Sequence, residues 1–109
     1  MKRPAHVRVG HLLYRVKVRS KKIYVRGKQA NGYCHNQKQV IVLWSKLPLG
    51  FLADIFLHEV IHAMFCAYSW NNKLKEEDIA TLLPGALLKF FMDNPEAIQW
   101  LYQCGEPSR

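Results

Sequence analysis

A chain of 109 residues, half of them apolar and 12% aromatic, is sized for one domain with its own core, which excludes disorder over the whole length. Its three cysteines, Cys34, Cys66 and Cys104, are odd in number and contain no CxxC pair, which excludes a disulfide framework and a zinc ribbon. The net charge of +8 is divided along the chain: residues 1–46 hold twelve Lys/Arg and no Asp or Glu, and residues 47–109 hold four Lys/Arg and eight Asp/Glu.

The expected elements follow that division. In the basic part, Val7 and Val9 alternate with polar residues, and Tyr14, Val16 and Val18 alternate with Arg15, Lys17 and Arg19 on the opposite parity. Period-two alternation predicts half-buried strands, and the parity change places a turn or bulge near Gly10. "KKIYVRG" is a third short strand. Asn31-Gly32 is a turn signal. "QVIVLW" is β-branched and nearly all apolar, so it is expected to be a well-covered strand. Pro48 and Gly50 mark a change to helix, which spans about Leu49 to Tyr68 with Phe51, Ile55 and Phe65 at helical spacing. "WNNK" (70–73) breaks it. "KEEDIATLLPGALLKFFMDNP" is a second helix, acidic at its start as the macrodipole favours, with Pro84-Gly85 expected to kink or fray it. "PEAIQWLYQC" is a short terminal helix, and the last few residues are expected to be mobile.

The chemistry-bearing stretch is His58-Glu59-Val60-Ile61-His62. Residues four apart share one face of a helix, so the two imidazoles can meet at one ion. Glu59, turned about 100° from His58, is placed to serve a water held there. This is the logic of HExxH: two zinc ligands and a general base for a metal-bound water that attacks a peptide carbonyl. A catalytic zinc usually takes three protein ligands. Cys66 lies about 12 Å along the axis from His58 and is expected to pack in the core instead. The third ligand is expected from the acidic start of the second helix: Glu76, Glu77 or Asp78. A closed structural site would need a fourth, from Cys34, His35 or Cys66.

The strand "QVIVLW", the segment "LHEVIHAMF" and the stretch "EEDIATLLPGALLKFFMDNP" together resemble the zincin-like metallopeptidases of the glutamate-ligand type. More narrowly, the chain is similar to small phage and prophage proteins distantly related to ImmA/IrrE-type peptidases. The resemblance covers about residues 7–97. It implies a minimal zincin-like α+β fold, with an N-terminal antiparallel or mixed sheet of three to four strands packed on two main helices plus a short C-terminal helix. Residues 1–109 would form one domain, basic and β-rich over 1–46 and helical over 47–105. It implies one Zn2+ per chain on His58, His62 and Glu77, with Glu76 the alternative third ligand and Thr81 bracing a histidine. An edge strand near 33–44 would align a protein or peptide substrate, with Tyr33 and His35 able to stabilise the oxyanion.

A second expectation comes from charge. The +12 segment attracts polyanions, so the chain can be read as a catalytically silent module that binds nucleic acid or an acidic partner through residues 1–46. His6 and His11 are expected at the surface. No signal peptide is visible and no apolar run reaches about 20 residues, so no transmembrane segment is expected and the location expected is cytoplasmic, that of the host cell for a phage-encoded protein.

Overall fold

The computed structural model describes residues 3–105. In chain order the elements are β1 (His6–Val9), β2 (Leu12–Arg19), β3 (Ile23–Val25), β4 (Lys28–Ala30), β5 (Gly32–His35), β6 (Val40–Trp44), α1 (Leu49–Ala67), α2 (Glu76–Asp93) and α3 (Pro95–Gly105). The fold is α+β, with a mixed four-stranded sheet in the order β1-β2-β6-β5 and three helices.

The parity change at Gly10 is a tight antiparallel turn. Gly10 takes φ 57°, and Val7 faces Tyr14 across the ladder, so both apolar sets reach the same side. β2 runs parallel to β6, and β5 is antiparallel to β6 and forms the far edge. The third strand, β3, pairs with β4 rather than with the main sheet. Their two-residue loop is Arg26-Gly27, both at positive φ, the backbone of a type I′ hairpin. Asn31-Gly32 is therefore not the turn its residue types suggested. Gly32 begins β5 where the backbone is crowded: a Cβ there would lie 2.7 Å from the Val42 carbonyl oxygen and 3.0 Å from Ile55 Cγ2.

The sheet has two dissimilar faces. Val7, Val9, Tyr14, Val16, Ile41 and Leu43 point into the main core beneath the helices. On the opposite face Ile23 of the hairpin packs on Val40 and Val42, covering β6 there and making that strand buried on both sides as "QVIVLW" suggested. Along β1 and β2 this outer face is open to solvent.

α1 buries Leu52, Phe56, Val60, Ala63 and Met64. Phe56 is fully buried and meets Trp100 of α3 edge-on at 5.4 Å and Phe90 of α2 at 6.5 Å between ring centroids. Phe51, expected on the apolar face, is 62% exposed, and Ile55 and Phe65 are only half-buried; the core face runs instead through their neighbours Leu52, Phe56 and Met64, with Val60 and Ala63. α1 has the length and apolar composition of a membrane span, and 33% of that span is buried against the rest of the fold.

α2 runs unbroken across Pro84 and Gly85, both exposed. It buries only Ala86 and Phe90, and its first turns are wholly exposed. Asn94, buried at the α2–α3 junction, fixes that junction to the sheet. Its Oδ1 accepts from the Arg8 backbone N–H at 2.7 Å, and its Nδ2 donates to the Arg8 and Phe90 carbonyls, both at 2.8 Å. One amide thus pairs with an edge strand as a neighbouring strand would.

Candidate functional site

His58, Glu59 and His62 lie in the second half of α1, where the helix crosses beneath β5. Val60, Ala63 and Met64 pin the helix by burial, which turns His58 and His62 outward, both exposed. Their Nε2 atoms stand 3.2 Å apart with the rings at 74°. Two nitrogens each about 2.0–2.1 Å from one zinc at a tetrahedral angle stand roughly 3.3 Å apart. The pair thus fits two adjacent corners of such a site, and with one ring protonated at Nε2 and the other not, it is also an N–H···N hydrogen bond.

Glu59 is 6% exposed. Burial raises its carboxyl above the ordinary carboxylate range, and the imidazoles of His58 and His62 pull it back down. A carboxylate whose proton affinity is raised by burial beside two potential ligands is suited to the role of a base.

The imidazole pair faces two concavities. One, of about 460 Å³, is lined by Tyr33, Asn36, His58, Glu59 and His62, with Gly32 and the Arg26 turn at its margin. The other, of about 510 Å³, is bounded by Asn36, His58, His62, Cys66 and Trp70. Trp70 is held by stacking on Tyr68 and by edge contact with Phe65. So the break after α1 supplies a wall of the site.

Neither Tyr33 nor His35 turns its side chain to the imidazole pair. Tyr33 borders that concavity but packs with Ile23, Val40 and Val42 on the outer face of the sheet. His35, on the same side of β5, faces a different concavity with Arg19 and Tyr24, its Nδ1 accepting from the Lys38 backbone N–H at 3.2 Å. Their strand β5 is the edge strand. Cys66 is exposed and borders the site; it does not pack in the core as expected, because the buried stripe of α1 passes through Ala63 and Met64. His6 and His11 are exposed.

Glu76, Glu77 and Asp78 are exposed in the first turn of α2 and line neither concavity. Among the described residues no three His, Cys, Asp or Glu side chains gather in a group that could hold a metal. Asp78 accepts from the Lys75 backbone N–H at 3.0 Å, and Thr81 donates to the Glu77 carbonyl at 2.9 Å rather than to a histidine. The reason is packing: α2 is anchored through Phe90 and Asn94 at its far end, while α1 packs chiefly on α3 and the sheet.

Asn36 went unnoticed in the sequence. It sits in the turn between β5 and β6, and its Oδ1 accepts from the buried Tyr14 hydroxyl at 2.8 Å and from the Cys34 thiol at 3.2 Å. This holds the amide at the mouth of both concavities. Its main partner comes from 22 residues away, and the other from the preceding strand β5, so no local pattern announces it.

Cys34 is pushed up to about 12, chiefly by burial and then by the Glu59 carboxylate and Cys66. In iodoacetamide labelling of the folded protein at pH 8, Cys66 is expected to react at least about tenfold faster than Cys34 and Cys104, read by peptide mass spectrometry, because only a thiolate attacks. Equal rates would show that Cys34 is not enclosed as described.

No family model, curated protein or solved structure matches the chain.

Proposed function

We propose that the chain is a zincin-like, zinc-dependent peptidase in which His58 and His62 are metal ligands and Glu59 is the general base. The observation that carries this reading is the convergence of two imidazole nitrogens to 3.2 Å beside a buried carboxylate at the floor of an open concavity. The bound metal would polarise the scissile carbonyl and make the attacking water acidic. Glu59 would take that water's proton and pass it to the leaving amine. The Asn36 amide is the donor at hand for the carbonyl oxygen. The β5 edge, beside the imidazoles, would align an extended protein or peptide by main-chain pairing. A cytoplasmic location belongs to the same proposal.

The two imidazoles fit the metal; for the third position we propose Glu77, on the sequence pattern alone. Metal content of protein purified without added zinc tests the set. About one zinc per chain is expected, lost in His58→Ala and His62→Ala. Glu77→Gln is expected to weaken binding by about tenfold or more in a chelator competition, and Glu76→Gln to leave it within about twofold. A parent chain that takes up no divalent metal sinks the reading. Parent-like affinity in Glu77→Gln removes only the third ligand.

A further inference from the structure

The division of charge along the sequence becomes a division between faces. On β1 and β2, alternate residues point away from the helices, and those positions carry His6, Arg8, Leu13, Arg15, Lys17 and Arg19, all exposed and four of the six cationic Lys or Arg. The Asp and Glu residues of the described chain lie on the helices behind the sheet. Among the described residues the one ion pair is Lys89–Asp93, so no carboxylate neutralises the outer face.

We infer that this outer face binds single-stranded nucleic acid, independently of the histidine site. Arg15, Lys17 and Arg19 form a straight row at about 6.7 Å intervals, a ladder for the phosphates of an extended strand. The row ends at a concavity of about 360 Å³ between the β3–β4 hairpin and β5, lined by Arg19, Lys22, Tyr24, Tyr33 and His35. Tyr24 is 62% exposed there, a ring on which an unstacked base can lie. A duplex keeps its bases stacked inside and cannot offer one to Tyr24. A protein partner fits less well, because interface centres are depleted of charge and apolar, whereas the middle of this face is cationic. A lipid surface fits less well too: the most exposed aliphatic side chains, Leu88 and Met92, are on α2.

The test is fluorescence anisotropy with a labelled single strand of about 20 nucleotides, longer than the 4–16 that one small domain covers, and with the matching duplex. Salt is varied from about 50 to 200 mM. The single strand is expected to bind at least about tenfold tighter than the duplex. The triple variant R15Q/K17Q/R19Q is expected to flatten the slope of log K against log salt by about 2, three phosphates at about 0.7 each. Tyr24→Ala is expected to cost about tenfold on the single strand and nothing on the duplex. All four positions are exposed, and circular dichroism checks folding; if the triple variant is unfolded, R15Q and K17Q are read singly, each flattening the slope by about 0.7. No binding at about 50 mM salt, a duplex bound as tightly, an unchanged slope in the variants, or equal binding to polyglutamate or phosphatidylserine vesicles each overturns the inference. Metal uptake at His58 and His62 is measured on the same variants and is expected to be unchanged, which separates this result from the fate of the peptidase reading.

Discussion

Glu59→Gln is expected to keep the metal and the fold and to lose peptide cleavage by about 10²–10⁴, the usual contribution of a general base. Glutamine has nearly the shape of glutamate, so the packing of α1 around Val60 and Ala63 is undisturbed, but its amide cannot accept the proton of the attacking water. The measurement is cleavage of a peptide library read by mass spectrometry, run beside zinc content for both chains. A variant that cleaves at the parent rate excludes Glu59 as the base.

The same substitution has an expected effect of opposite sign on stability. Burial raises the Glu59 carboxyl above its unfolded value, so the folded chain holds that proton to higher pH than the unfolded chain does. Between those two values the native state loses stability as pH rises, and above both the cost is complete. Metal-free Glu59→Gln lacks that cost, so it is expected to melt higher than the metal-free parent at pH 8 and to lose the advantage in acid. A residue that lowers stability where it stands, yet whose isostere removes turnover, is there for chemistry.

The motif was legible because its geometry is local. Four residues on a helix place two rings on one face whatever the rest of the chain does, and the exposed, converging pair at His58 and His62 follows from that periodicity. What surrounds the pair is not local. Asn36 is held by Tyr14 across the sheet, in the turn that follows the edge strand β5 beside α1. Neither the β2–β6 pairing nor the position of α2 has a short-range signature, so the placement of Glu76 and Glu77 relative to the imidazoles could not be read from spacing.

The fold divides in the same way. The β1–β2 hairpin and the three helices follow patterns of period two and 3.6, broken at Gly10, Asn71-Asn72 and Pro95. The expected turn at Asn31-Gly32 moved to Arg26-Gly27 because Gly32 answers to steric crowding by Val42 and Ile55, contacts that exist only in the folded sheet. The core face of α1 was misjudged by one position for a related reason. In so apolar a helix, with Phe51, Leu52, Ile55, Phe56 and Leu57 close together, hydrophobicity alone does not choose the stripe. The rings of Phe90 and Trp100 choose it by meeting Phe56.

Asn94→Ala is expected to be the most damaging change to a polar side chain away from the site, costing about 3 kcal/mol and lowering the melting temperature by roughly 10–20 °C. The side chain makes three hydrogen bonds in a buried position, two of them to the N–H and C=O of Arg8 on the β1 edge. Alanine removes its own amide and leaves those backbone groups unpaired near the core, a larger loss than the three bonds' average worth suggests. It also frees the sheet's exposed edge to pair with another chain. Asn94→Asp separates the two causes. It keeps the acceptor for Arg8 N–H but sets an oxygen against the carbonyls of Arg8 and Phe90, so at pH 7 it is expected to be at least as destabilising as alanine. Lowering the pH toward 4 is expected to recover part of the loss, as the protonated carboxyl can donate to one of the two. The residue stands in the Asp93-Asn94-Pro95 stop between α2 and α3, where a helix terminator alone would tolerate serine or glycine with little cost. Thermal unfolding by circular dichroism decides the matter: if Asn94→Ala and Asn94→Gly melt within about 2 °C of the parent, the amide is only a helix end, and the anchoring of α2 to β1 rests on Phe90 and Ala86 instead.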